Sequence, residues 1–243
     1  MKKKSFKIIL LGIFCLLLVG CNIDYNVVID SNNRVKENII INIPNNILSN
    51  DESPKKALDK KIEGYKKIPA YKYYKVSRKV GKNNSILNIK REYSKLEKYA
   101  DSPILNDLFE NIMIIENDYY TVFKTVGDYN YDYFYGRVSE PIDPSKASSI
   151  KDVVVKIQLH NKLIESNADE VDEKNNIYTW YFSPEYTAKY IYMKYGKEKR
   201  YDIIIKSFIK NNIGIVIVVS TIVIGVLVLG SIFFIKRIGA NKI

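Results

Sequence analysis

Apolar and polar positions divide the chain into two uninterrupted apolar runs near its ends and a patterned region between them. The runs cover residues 8–20 and 213–235, and neither contains a charged side chain. Between them, short stretches of β-branched and aromatic residues alternate with polar turns, a pattern typical of strands. The sequence therefore predicts a folded middle flanked by two apolar segments of unequal length.

Strand-like composition recurs nine times in the middle region. The first two strands, residues 25–30 and 35–43, are separated by a short segment with two asparagines, which tolerate the backbone angles of a tight turn. The other predicted strands are residues 73–80, 85–93, 119–126, 129–138, 153–159, 177–182 and 188–195. Short turns between neighbours, such as the one predicted at Gly127 and Asp128, favour antiparallel pairing.

Two segments carry helix-start signals. Ser53 and Ser102 each precede a proline, which places a hydroxyl acceptor at the N-cap and a ring without an N–H at the first helical position. Apolar residues then recur at helical spacing as far as Tyr65 and Ile112. With the nine strands, this predicts an α+β domain: a mostly antiparallel β-sheet or open barrel with two short helices.

The C-terminal apolar run is long enough to cross a bilayer. Its 23 residues would form a helix of about 35 Å, against a hydrocarbon core of about 30 Å. We expect one transmembrane helix over residues 211–235, followed by a cytoplasmic tail, residues 236–243. Lys236, Arg237 and Lys242 in that tail agree with the positive-inside rule.

The N-terminal apolar run is too short to span a bilayer and ends at a cysteine. Four lysines precede its 13 apolar residues, a pattern typical of a secretory signal peptide. Residues 18–21, Leu-Val-Gly-Cys, resemble the lipobox of bacterial lipoproteins, in which the cysteine is lipidated on sulfur and the bond before it is cut. The resemblance implies a signal peptide over residues 1–20, Cys21 as the lipidation site, and an extracytoplasmic domain over residues 21–210.

The distance between the lipidation site and the fold is short. Only residues 22–24 separate Cys21 from the first predicted strand, a reach of about 10 Å. With a helix anchor at the other end, we expect both ends of the domain near one membrane surface. The acyl chain would then orient the N-terminal hairpin rather than supply the main attachment.

The net charge of +11 first suggests a nucleic-acid partner. However, residues 1–20 carry four lysines and no acid, and residues 206–243 carry five basic residues and no acid. The region between them is therefore nearly balanced. Basic residues beside apolar runs are typical of membrane topology, so we expect no nucleic-acid partner.

Few side chains in the middle region suit catalysis or metal binding. His160 is the only histidine, Cys15 lies in the predicted signal peptide, and Cys21 would be lipidated. This excludes a Cys/His metal site, and a Ser-His-Asp triad would need His160, whereas the sequence has no Gly-x-Ser-x-Gly motif. The carboxylates that could serve a hydrolase are Asp169, Glu170, Asp172 and Glu173. Their clustering favours a solvated loop, and we expect no enzyme activity, no catalytic residue, no metal and no cofactor.

Four tyrosines at alternate positions of one predicted strand form the least ordinary pattern. They are Tyr129, Tyr131, Tyr133 and Tyr135. Side chains at a period of two share one face of a strand. If that face is exposed, its rings suit stacking on sugars or insertion among lipid headgroups, and if it is buried, they form core. Both alternatives stay open, and the row is the candidate ligand-binding site.

Residues 161–171 and 177–182 resemble the closing part of the LppM-type domain of bacterial envelope lipoproteins. The resemblance rests on Ser166-Asn167-Ala168-Asp169 and on the strand that contains Trp180. It implies a surface-anchored, mostly β domain over residues 21–195, with lipid or envelope binding as its suggested role. We expect the motif to be structural, with Asn167 and Asp169 in an Asx-type turn and Trp180 in the core.

These expectations describe a lipoprotein of the cell membrane, lipid-anchored and single-pass, with a non-enzymatic role outside the cytoplasm. Its expected partners are membrane lipids, with wall glycan or another membrane protein as further candidates. One alternative is an accessory subunit of a membrane complex, and another is a tethered hydrolase that uses the carboxylates of residues 169–173. An apolar pocket would favour lipid binding, two convergent carboxylates hydrolysis, and a domain without a pocket the accessory role.

Overall fold

The structure, a computed structural model, describes residues 21–48, 52–129, 150–183 and 189–240. The chain forms two compact units, of which the first ends at Lys199 and the second begins at Arg200. Strands dominate the first unit and helices make up the second, which confirms the α+β class.

Eleven strands run through the described part of the first unit. They are β1 (Cys21–Ile29), β2 (Val35–Pro44), β3 (Lys75–Val80), β4 (Asn84–Tyr93), β5 (Phe109–Glu116), β6 (Tyr120–Tyr129), β7 (Ile150–Leu159), β8 (Asn161–Ser166), β9 (Glu170–Asp172), β10 (Ile177–Phe182) and β11 (Tyr192–Lys199). Seven form one sheet in the order β3-β4-β2-β1-β7-β10-β9, and four form a second in the order β5-β6-β11-β8. Pairing is antiparallel except between β1 and β7, which are parallel.

The N-terminal hairpin of β1 and β2 has the predicted tight turn. The Oδ1 atom of Asp30 accepts the backbone N–H groups of Asn32 and Arg34, at 2.8 and 2.9 Å. Asn33 adopts the left-handed conformation, with φ of 59°. Asparagine tolerates this backbone region better than most residues, so the turn follows directly from the local sequence.

Six helices accompany the sheets in the described ranges. They are α1 (Asn45–Leu48), α2 (Pro54–Lys67), α3 (Leu96–Ala100), α4 (Pro103–Leu108), α5 (Tyr201–Asn211) and α6 (Ile213–Ala240). The two Ser-Pro starts are confirmed: Ser53 Oγ accepts from Lys56 N at 3.4 Å, and Ser102 Oγ accepts from Leu105 N at 3.2 Å.

The predicted helix through Ile112 is too long. Helix α4 ends at Leu108, and the next residue begins β5, which pairs with β6. Ile112 and Ile114 pack against the core while Met113 and Ile115 are exposed, so exposure alternates with the period of a strand. A short apolar run fits both periods, and the pairing with β6 decides for the strand.

The turn predicted at residues 127–128 is instead a bulge inside β6. Val126 pairs with Asn111 and Tyr129 pairs with Phe109, so two residues on β6 oppose one on β5. Gly127 has φ of +83°, and a Cβ atom there would overlap the side chain of Glu110. Only Tyr129 of the strand predicted over residues 129–138 is described. Strands β8 and β9 were not predicted.

Side chains of both sheets of the first unit share one core. The rings of Phe109 and Phe182 have centroids 5.5 Å apart, and those of Tyr99 and Phe123 are 6.0 Å apart. Trp180 is fully buried in the same cluster, as expected from the inward face of its strand.

The second unit consists of α5 and α6. In the part of the chain that the structure describes, no single helix combines the length and hydropathy of a membrane span. Residues 201–211 and 213–229 satisfy both criteria only as a pair, and the two helices meet at 95°. The single transmembrane helix over residues 211–235 therefore stays a prediction.

Candidate functional site

A cavity of about 570 Å³ lies where β3 begins, beside the end of β4. We call this cavity the β3–β4 pocket. It is lined by Tyr73, Lys75, Lys90, Arg91 and Glu92. Lys75 and Lys90 are exposed and pair directly across the two strands. Like charges in this arrangement repel, so the pocket favours a negatively charged occupant.

Arg91 is the most constrained cation of the pocket. Its Cζ atom lies 5.3 Å from the ring centroids of Tyr73 and Tyr74 and 4.6 Å from that of Tyr93. Cation–π contacts of this kind attract the charge of the guanidinium. They do not occupy its N–H donors, which remain able to form hydrogen bonds. The aromatic cage therefore fixes the position of the cation and leaves its donors for an acceptor.

Arg91 differs from three other arginines in that it has no carboxylate partner among the described residues. Arg34 forms an ion pair with Asp30, Arg78 with Asp59, and Arg200 with Asp202. Among the described residues, no carboxylate pairs with Arg91, Lys75 or Lys90. The one acid of the pocket, Glu92, lies 3.8 Å from Lys36.

Behind the cage lies a buried carboxylate. Glu37 is 1% exposed, and its Oε1 atom accepts from Tyr25 Oη at 2.6 Å and Ser102 Oγ at 2.8 Å. Its Oε2 atom accepts from Tyr93 Oη at 2.8 Å. All of these donors are hydroxyl groups, so the carboxylate is satisfied without a cation.

The hydroxyl network extends beyond the donors of Glu37. The Tyr74 hydroxyl lies 3.0 Å from that of Tyr93 and 3.1 Å from Ser102 Oγ, and the Tyr25 hydroxyl lies 2.8 Å from that of Tyr99. Thus two of the three rings that hold Arg91, those of Tyr74 and Tyr93, belong to the Glu37 network.

Burial sets the titration of this network. Desolvation raises the pKa of Glu37 above its ordinary 4.5, although the hydroxyl hydrogen bonds act in the opposite direction. Burial, followed by the charge of Glu37, raises the pKa values of Tyr25 and Tyr99 well above 10. The tyrosines therefore remain hydrogen-bond donors at neutral pH.

Sequence reasoning missed both Glu37 and Arg91. A signal for Glu37 exists, because Val35, Ile39 and Ile41 are buried on the same face of β2, where an acid is out of place. Arg91 has no comparable local signal, because its cage combines β4 with a loop and depends on the register of the strands.

The Asn167 side chain connects three strands. Its Oδ1 atom accepts from Trp180 Nε1 at 2.9 Å and from Tyr192 N at 2.8 Å, and its Nδ2 atom donates to the Tyr190 carbonyl at 2.8 Å. Ser166 Oγ accepts from Ala168 N at 3.4 Å. The expected Asx-type turn at Asn167 is thus replaced by longer-range contacts to β10 and the start of β11.

The four carboxylates proposed for hydrolysis lie around β9. Asp169 accepts from Tyr181 N at 2.8 Å and from Lys189, and Glu170 accepts from Tyr181 Oη at 2.6 Å. Asp172 accepts from the backbone and side chain of Asn175, and Glu173 is exposed. The described contacts of Asp169, Glu170 and Asp172 hold strands and a turn together. No group of three or more His, Cys, Asp and Glu side chains suited to a metal ion occurs in the described ranges.

The tyrosine row is only partly described. Tyr129 is 2% exposed, and its ring lies 4.8 Å from that of Phe182, so this member belongs to the core. Tyr131, Tyr133 and Tyr135 lie outside the described residues, as do residues 1–20. The backbone of Cys21 is described, and β1 begins at this residue.

Comparisons with known proteins give one structural similarity. No family model matches the sequence, and no curated protein matches it. The chain is similar to the NMR structure of the folded domain of Mycobacterium tuberculosis LppM, with 9% identity and a TM-score of 0.47. The alignment covers 75% of this chain and 92% of that one.

Proposed function

We propose that the chain is a membrane-anchored envelope lipoprotein without enzymatic activity, whose domain binds a membrane lipid headgroup or a wall component. The β3–β4 pocket carries this proposal, because its volume and its convergent polar groups are those of a ligand site. Three cations, one acid and one tyrosine line it, and none of these is an aliphatic side chain, which favours a charged headgroup or charged glycan over an acyl chain. The lipobox-like residues 18–21 and the apolar run of residues 213–235 support the location.

The two proposed anchors would leave the domain at opposite ends of β1. Cys21 begins that strand, whereas Lys199, the last residue of β11, pairs with Asn161. The neighbouring His160 donates its backbone N–H to the Ile29 carbonyl, at the other end of β1. The nine residues of β1 span about 30 Å. If both anchors reach one bilayer, β1 must lie along the membrane surface rather than stand upright on it.

Two measurements test this proposal. Mass spectrometry of the protein purified from membranes should find a diacylglyceryl group on the Cys21 thiol and no residues before it, with Cys21→Ser as the matched control. Protease added to intact spheroplasts should digest the domain and spare residues 236–243. A chain with an intact N-terminus in the cytosol would contradict the proposal.

The binding role is tested separately by photo-crosslinking in membranes, followed by identification of the attached lipids, glycans and proteins. Label introduced at Tyr73 should capture lipid or wall material. Label at Glu173, which follows β9 at the opposite edge of the sheet, should capture less. Capture of one integral membrane protein from both positions would instead support the accessory-subunit alternative.

A further inference from the structure

Within the described structure, no carboxylate forms an ion pair with the cations of the β3–β4 pocket. By contrast, Arg34, Arg78 and Arg200 each form one. Arg91 is held by three rings and presents unused N–H donors, and Lys75 and Lys90 repel each other across β3 and β4. These three cations line one pocket together with Glu92. Lys75 and Lys90 line it from one face of the sheet, and Arg91, the next residue of β4, lines it from the other. An anion at the edge of β4 beyond Lys75, where β4 has no β3 partner, can contact both sets.

The geometry of the acceptor oxygens distinguishes between anions. A carboxylate has two coplanar oxygens, whereas the oxygens of a phosphate group are arranged tetrahedrally and can face a guanidinium and an ammonium from different directions; a phosphate monoester also carries about 1.5 to 2 negative charges, against about one for a phosphodiester. A guanidinium binds phosphate through two parallel hydrogen bonds, and an ammonium adds charge at variable geometry. The cavity, at about 570 Å³, also has room for an organic group attached to the phosphate.

We propose that the β3–β4 pocket is a phosphate-binding site, in which Arg91 forms the bidentate contact and Lys75 and Lys90 supply additional charge. The inference rests on the proposed function, since the phosphate would belong to an envelope molecule. The exposed ring of Tyr73 flanks the phosphate and contacts the sugar or polyol that carries it.

The test uses the full chain in phosphatidylcholine nanodiscs, so that the surrounding lipid is not itself the anionic probe. The probes are inorganic phosphate, soluble poly(glycerol phosphate), and vesicles of phosphatidylglycerol. Binding of vesicles alone assigns the phosphate to a lipid, and binding of the soluble polymer alone assigns it to a wall polymer. Equal binding of inorganic phosphate assigns the site to a small anion. Each of these outcomes supports the phosphate site.

Variants distinguish this site from general attraction to a basic protein. Arg91→Gln should weaken binding about tenfold or more, because a charged hydrogen-bonding partner is lost. Arg91→Lys should recover part of it, and Lys75→Gln should weaken binding and its salt dependence. Arg78→Gln, on the same strand as Lys75 but paired with Asp59, is the matched control and should leave binding unchanged.

Two results would overturn the inference. One is unchanged binding by Arg91→Gln and Lys75→Gln, and the other is the absence of binding to every phosphate probe. Because Lys75 is exposed, we expect Lys75→Gln to fold. This variant therefore tests the site even if Arg91→Gln fails to fold. If uncharged lipid or glycan were then crosslinked at Tyr73, the phosphate site would be contradicted while the proposed function would still be supported.

Discussion

Glu37 and Arg91 are register partners on β2 and β4, and Tyr93 contacts both of them. The Tyr93 hydroxyl donates to Glu37 Oε2 at 2.8 Å, and its ring centroid lies 4.6 Å from the Arg91 Cζ atom. The buried carboxylate and the pocket guanidinium are thus connected through an aromatic side chain rather than by an ion pair. The position of Arg91 therefore depends on a hydrogen bond made in the core.

Tyr93→Phe should destabilise the domain while keeping the ring under Arg91. The substitution removes one donor to a buried carboxylate, for which we expect a loss of about 1–3 kcal/mol in the free energy of unfolding. Urea titration of the full chain in detergent, followed by Trp180 fluorescence, measures it. Tyr73→Phe is the control, because the exposed Tyr73 contacts Arg91 through its ring but makes none of the described contacts to Glu37. Equal unfolding midpoints for the two variants would contradict the role given to the hydroxyl.

Stability should fall as pH rises past the ordinary titration range of a glutamate. The folded domain raises the pKa of Glu37 above 4.5, so it binds the Glu37 proton more tightly than the unfolded chain does. This contribution is fully present below pH 4.5 and is lost as pH rises through the raised pKa. The variant Glu37→Gln has no titrating group at this position, so its free energy of unfolding should not show this decrease with pH.

The informative quantity is the difference between the unfolding free energies of the wild type and Glu37→Gln, measured from pH 4 to pH 8. His160 titrates in the same range, because burial lowers its pKa, but it is present in both proteins and cancels. The pKa values of Tyr25 and Tyr99 lie well above 10, so neither contributes. A difference that does not change with pH would show that Glu37 has an ordinary pKa.

Features with local determinants could be predicted from the sequence. The β1–β2 turn follows from Asp30 and Asn33, and the starts of α2 and α4 follow from Ser53 and Ser102. By contrast, the sequence predicts a helix through Ile112, which covers the first half of β5, because the apolar spacing there fits both periods until the pairing with β6 is known. The parallel neighbour of β1, strand β7, was equally beyond prediction, since more than a hundred residues separate them.

The candidate site was less predictable than the fold. Tyrosines were recognised as unusual, but the row that begins at Tyr129 drew attention, whereas the structure gathers Tyr73, Tyr74 and Tyr93 around a cation. That gathering requires the register of β4 against both β2 and β3. Periodicity within one strand cannot predict this grouping of tyrosines. It shows which face of the strand a side chain occupies, but not which residues of other strands lie beside it.

Asn167→Ala should be among the more costly polar substitutions in the domain. It would leave the Trp180 indole N–H and the Tyr192 amide without their acceptor, at a cost of about 1–3 kcal/mol for the indole of the buried Trp180 and less for the amide, whose hydrogen bond is exposed. Thermal unfolding followed by circular dichroism measures the loss. Asn175→Ala, in the exposed turn with Asp172, should lower the unfolding temperature much less. A similar decrease for both variants would mean that Asn167 does not hold the strands together.

Helix α5 should lie within the outer headgroup region if α6 anchors the chain. Tyr201, Ile205, Phe208 and Ile209 recur at i, i+4, i+7 and i+8, and all four are exposed. Lys206 and Lys210 lie towards the other side of the helix, where they can contact anionic headgroups. An apolar stripe with flanking lysines is the composition of a helix that lies in the plane of the interface, and the 95° angle to α6 suits that arrangement.

Spin labels at two positions of α5 measure its depth in the bilayer. Phe208→Cys and Lys210→Cys place labels on opposite sides of the helix, in chains whose Cys15 and Cys21 are replaced by serine. In nanodiscs, we expect the label at 208 to be accessible to oxygen and shielded from a water-soluble nickel complex, with the reverse at 210. Equal nickel accessibility at both positions in a chain that stays with the nanodisc would contradict the interfacial position of α5. Loss of the chain from the nanodisc would contradict the anchor itself, because α6 is then the only attachment proposed.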